Sequence, residues 1–174
     1  MKQLLPSMLI FLLGVVLSTQ SFAQTPCACC SEEHRQFDFW EGDWEVVDST
    51  GKILGYNHIV LMQDSCVLQE NWSSGKGAFS GTSYNFYHSG EKVWKQLWIN
   101  NQGGSLELSG NWNGQAMVLS SAFQADTSGN KYQSRVTWTP LPDGRVRQLW
   151  DIRSEEGKRV QVVFDGYYQA RKED

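Results

Sequence analysis

From Phe37 onward, apolar and polar residues alternate with a period of two, the signature of strands with one face turned inward. The segments read as strands are Phe37–Asp48, Ile53–Met62, Ser65–Ser73, Gly81–His88, Val93–Asn100, Ser105–Trp112, Ala116–Ala125, Lys131–Thr139, Arg145–Arg153 and Val160–Arg171. Short turn signals rich in Gly, Asn, Asp and Ser separate them, such as Asn113-Gly114 and Pro142-Asp143-Gly144. Those residue types supply the left-handed backbone that tight hairpins need. About ten strands joined by short turns predict an up-and-down antiparallel meander. An open meander has two exposed edges and closure removes both, so the pattern favours an all-β barrel. A two-sheet sandwich is the alternative; its crossovers need longer connections than this chain offers.

The first residues break the alternation. Lys2 is followed by an almost wholly apolar run, Leu4–Leu17, and Ser21-Phe22-Ala23 offers small residues where a signal peptidase reads. Residues 1–23 are therefore read as a signal peptide cleaved after Ala23, because the run is short for a membrane span. Thr25-Pro26 before Cys27 does not suit lipid attachment. Residues 24–36 form a cysteine-containing arm, with a short helix expected near Ser31–Arg35 to plug one end of the barrel, and residues 37–174 form one barrel domain. No stable membrane insertion is expected after cleavage, and the protein is placed in the periplasm or outside the cell.

Charge and cysteine content narrow the classes further. The formal net charge is −4 and no basic run occurs, which argues against nucleic acid as a partner. Export turns the four cysteines, Cys27, Cys29, Cys30 and Cys66, into candidates for disulfides. A metal site of Cys27, Cys29 and Cys30 with His34 is the competing reading, but the spacing does not suit tetrahedral zinc. A staple from Cys30 to Cys66 is expected, since Cys30 is nearest to the first strand. His34, His58 and His88 lie on separate segments without metal-ligand spacing, and no metal or cofactor is expected.

Candidate chemistry sits in a dyad that recurs on three strands: Glu70-x-Trp72, Gln96-x-Trp98 and Gln148-x-Trp150. Residues two apart on a strand share a face, so each dyad places a long polar side chain beside an indole. Flat apolar walls with a few placed polar groups are how pockets for small organic molecules are built. Arg135, between Gln133 and Thr137, is a further candidate for the interior or for one mouth. The ligand set read from the sequence is therefore Glu70, Trp72, Gln96, Trp98, Arg135, Gln148 and Trp150. No nucleophile elbow, zinc-protease helix, phosphate loop or dinucleotide fingerprint is present.

Phe37-Asp38-Phe39-Trp40-Glu41-Gly42-Asp43-Trp44-Glu45-Val46 resembles the opening strand of a family of exported bacterial proteins, a domain of unknown function placed with lipocalin-like barrels. Cys66 with Glu70-Asn71-Trp72, Asn85-Phe86-Tyr87, Trp94-Lys95-Gln96-Leu97-Trp98, Trp138-Thr139-Pro140 and Val146-Arg147-Gln148-Leu149-Trp150 are similar to its later motifs. Gly42-x-Trp44 also resembles the G-x-W of lipocalins, whose Trp closes the barrel floor. The resemblance implies a calycin-like barrel, a group that includes carriers of lipids, retinoids and haem and a few lyases or isomerases. No His matches the axial ligand of the haem carriers.

Three function classes follow. The first is an exported binder holding a small hydrophobic or aromatic molecule. The second is a calycin-fold lyase or isomerase using Glu70 as acid or base. The third is an interaction or structural barrel without a ligand.

Overall fold

A computed structural model describes residues 27–172; the signal-peptide reading of residues 1–23 lies outside the described residues. After a helical turn α1 (Glu32–Arg35) and a 3-10 turn (Asp38–Trp40) come eleven strands: β1 Gly42–Val47, β2 Ile53–Met62, β3 Val67–Ser74, β4 Ser80–His88, β5 Val93–Asn100, β6 Ser105–Trp112, β7 Met117–Ser120, β8 Gln124–Ala125, β9 Lys131–Pro140, β10 Val146–Ser154 and β11 Arg159–Ala170. Every pairing is antiparallel. Strands β1 to β7 pair in sequence, β7 passes to β9, β9 to β10, β10 to β11, and β11 returns to β1. The sheet is thus a closed ten-strand barrel with β8 as a short extra strand on β9, an up-and-down architecture compatible with a lipocalin-like fold.

Local chemistry sets the corners. At the β6–β7 hairpin, Gly114 adopts a φ of 94°, and the Asn113 side-chain oxygen accepts from the backbone N–H groups of Gln115 and Ala116. Alternation along β2 to β5 then fills the interior with Asn57, Ile59, Leu68, Glu70, Ser83, Asn85, Trp94 and Gln96. No helix among the described residues is long and apolar enough to cross a membrane.

Two of the expected segments differ. Phe37–Asp48 does not run as one strand: Phe37–Trp40 coils into the end of the barrel and the strand begins at Gly42. The physical reason is aromatic burial. Phe37 and Trp40 are fully buried, stack at 5.0 Å, and meet the rings of Trp94 and Trp138, which an extended chain on the barrel wall would not allow. Ala116–Ala125 divides into β7 and β8, because the chain leaves the β9 ladder between Ser121 and Gln124. Trp44 is buried, its indole N–H donating to the Trp40 carbonyl at 2.9 Å.

The arm is fastened differently from expectation. Cys66 bonds Cys29, with Cα atoms 5.1 Å apart, and Cys30 bonds Cys27 instead of Cys66. The tight turn that opens α1 brings Cys27 back upon Cys30, and this leaves Cys29 facing the β2–β3 turn. There Gln63, Asp64 and Ser65 all hold left-handed backbone, and the Arg35 guanidinium donates to the Ser65 carbonyl. Both bonds mark an oxidising compartment. Since the Cys29–Cys66 bond spans 37 residues, its loss through paired Ser substitutions should lower the unfolding free energy by about 4 kcal/mol. Removing Cys27–Cys30, a separation of 3, should cost less than half as much. Denaturant titration of the two double variants under oxidising conditions checks the order, and the reverse order contradicts it.

Candidate functional site

Plugging one end leaves the other end hollow. A cavity of about 430 Å3 occupies the half of the barrel away from Phe37 and Trp40. Strands β3, β5 and β10 each contribute their dyad to it, so Glu70, Gln96 and Gln148 with Trp72, Trp98 and Trp150 border one space. Within each dyad the polar residue lies one inward-facing step nearer the plug. The indoles lie nearer the opening, where Trp98 meets Trp150 at 6.4 Å and Trp72 meets Phe164 edge to face at 5.8 Å.

Glycines on neighbouring strands make room for these rings. A Cβ on Gly55 would stand 2.4 Å from the Ser73 carbonyl and 2.5 Å from the Trp72 ring, and one on Gly81 would stand 2.8 Å from the Trp98 ring. A register irregularity in the β10–β11 pairing after Trp150 brings both Val163 and Phe164 to the lining.

The polar residues form one connected network. Glu70 Oε1 accepts from Asn57 Nδ2 at 2.8 Å and Oε2 accepts from Ser83 Oγ at 2.6 Å. Asn57 Nδ2 also donates to the Tyr168 hydroxyl at 3.1 Å, and that hydroxyl donates to Gln148 Oε1. On the other side Gln96 Nε2 donates to Asn85 Oδ1 at 2.7 Å, and Asn85 Nδ2 to Ser83 Oγ at 2.9 Å. Burial pushes the Glu70 carboxyl up, against the opposing hydrogen bonds from Ser83 and Asn57. Burial, reinforced by the nearby Glu70, pushes the Tyr168 hydroxyl well above its usual range. Trp150 borders the cavity, and its indole N–H is buried with no partner among the described residues.

Six of the seven side chains read from the sequence line the cavity; Arg135 does not. It pairs across the ladder with Asp151, whereas its neighbour Val136 pairs with Trp150 and faces inward, so alternation turns Arg135 to the outer wall. There the nearly inaccessible Asp151 collects Arg135 at 3.6 Å, Arg153 at 2.8 Å and Arg159 at 2.9 Å. Burial opposes ionisation of Asp151, but the guanidiniums of Arg153 and Arg159 outweigh it and hold the carboxyl below its usual range.

Sequence reasoning missed Asn57, Ser83, Asn85 and Tyr168. Their signal was a polar residue on the inward phase of an otherwise apolar face, as in Gly55-x-Asn57-x-Ile59 and Gly81-x-Ser83-x-Asn85. No group of His, Cys, Asp or Glu with metal-binding geometry occurs among the described residues.

Two outcomes follow from this geometry. In the unfolded chain Glu70 ionises near its ordinary 4.5, whereas the folded chain keeps its proton to higher pH. Stability from this group is therefore full below the unfolded value and falls as pH rises from there through the raised folded value. Glu70→Gln removes that loss, so its melting temperature relative to wild type should climb between pH 4 and pH 8; a difference that stays level across this range contradicts the assignment. Gly81→Ala should force Trp98 into the cavity at a cost of about 1–3 kcal/mol, read by denaturant titration together with a change in near-ultraviolet circular dichroism.

No protein-family model matches the chain, and no curated protein matches it either; the cavity and its lining carry the functional argument.

Proposed function

We propose that the protein is an exported binder that holds a small, partly apolar organic molecule inside the barrel. The observation that carries this reading is the coincidence of the three dyads in one open cavity, with indoles toward the mouth and a hydrogen-bonded polar layer beneath. A volume of about 430 Å3 lies in the range of drug-sized ligand pockets. The resemblance to exported lipocalin-like proteins and the two disulfides support secretion. Trp72, Trp98 and Trp150 supply the walls; Glu70, Gln96 and Gln148 supply orientation.

One observation favours a second reading. A carboxyl raised by burial and bordering a cavity is suited to acid–base chemistry, as a lyase or isomerase requires. Mass spectrometry of candidate ligands after incubation separates the two, since a binder returns its ligand unchanged and a Glu70-dependent enzyme does not.

Intrinsic tryptophan fluorescence titrated against a set of hydrophobic and aromatic metabolites should show saturable quenching. Trp98→Ala and Trp150→Ala should each weaken the best ligand roughly tenfold, the equivalent of about 1.4 kcal/mol. Leu97→Ala, on the outer wall, should leave affinity unchanged. Absence of any saturable response rules the binding reading out.

A further inference from the structure

The cavity is lopsided in charge. Among the described residues, Glu70 is the one carboxylate on its lining, and no Lys, Arg or His borders it. The arginines of the adjoining strands are turned outward and already paired, Arg135 with Asp151 and Arg147 with Asp165. A buried carboxyl without a cationic partner is costly to ionise unless something supplies the opposite charge.

Acceptors are also in surplus at this depth. Each Glu70 oxygen takes one protein hydrogen bond and keeps a second lone pair. Gln96 uses Nε2 toward Asn85 and Ser83, and its Oε1 has no partner among the described residues. One step toward the mouth stand the indoles of Trp72, Trp98 and Trp150, and the negative quadrupole of an indole face attracts organic cations.

Building on the small-molecule reading above, we propose that the ligand is an organic cation, a protonated primary amine whose ammonium is held by Glu70 and Gln96 and whose apolar body lies between Trp72, Trp98 and Trp150. Three ammonium N–H donors match Glu70 Oε1, Glu70 Oε2 and Gln96 Oε1. A carboxylate ligand would bring like charge to Glu70, and a neutral one would leave the carboxyl protonated, without the ion pair that an ammonium supplies.

The pH dependence follows from what faces Glu70. Asn57 from β2, Ser83 from β4, Gln96 from β5 and Gln148 from β10 carry no charge, and Tyr168 from β11 keeps its proton. An arriving ammonium favours the ionised carboxylate, so a proton leaves on binding. Amine affinity should rise with pH while Glu70 is protonated in the empty barrel, and decline again as the amine loses its own proton near ~10.

Isothermal calorimetry on the disulfide-intact protein with 4-phenylbutylamine, 4-phenylbutanol and 4-phenylbutyrate tests this. The amine should bind at least tenfold tighter than the alcohol, the carboxylate weakest of all, and heats measured in two buffers of different ionisation enthalpy should reveal proton release. Glu70→Gln should erase the preference of amine over alcohol; the wild-type ranking stands as a test even if that variant fails to fold. Alcohol binding as tight as the amine overturns the cation assignment and leaves the small-molecule reading intact. Failure of all three probes to bind overturns both.

Discussion

The insertion of Phe37 and Trp40 into one end of the barrel is the contact on which the remaining architecture depends. A ten-strand barrel is wider than its own inward side chains readily fill. Phe37 and Trp40, stacked within 15° of parallel and set against Trp94 and Trp138, fill one half. The arm that carries them is tethered through Cys29 to Cys66, and the Trp94 indole donates to the Glu33 carbonyl at 3.1 Å. With the apolar core gathered at that end, the opposite half is left open.

The buried polar residues form the boundary between these halves. Asn57, Glu70, Ser83, Asn85, Gln96, Gln148 and Tyr168 hydrogen-bond to one another, which offsets most of their desolvation cost. Such a layer is tolerated inside because each member has a partner. It also gives the floor of the cavity hydrogen-bond donors and acceptors that a wholly apolar floor would lack.

Charge is sorted by the pleat. Arg135, Arg147 and Arg153 occupy outward phases of β9 and β10 and meet Asp151 and Asp165 on the outer wall. The interior phase of those same strands holds Val136, Trp138, Gln148 and Trp150. Among the described residues the cavity lining therefore holds one acid and no base, because side chains one residue apart on a strand point to opposite faces.

Alternation and turn chemistry by themselves determined the class of fold, nearly all the strand positions and six of the side chains that line the cavity, because a period of two is a local property that each strand carries alone. The pairing of Glu70, Gln96 and Gln148 with their indoles was legible for the same reason. Only the tertiary structure decided that Phe37–Trp40 leaves the wall and fills the barrel, since burial among Trp94 and Trp138 outweighs the local preference for a strand. Cysteine connectivity was likewise beyond local reading: Cys29 and Cys30 are adjacent, and which one reaches Cys66 depends on the direction in which the turn before α1 points each side chain. Arg135 shows the remaining gap. Its strand was evident, but whether its phase faces inward depends on the register with β10, and cross-strand pairing with Asp151 sets that register and turns the guanidinium away from the cavity.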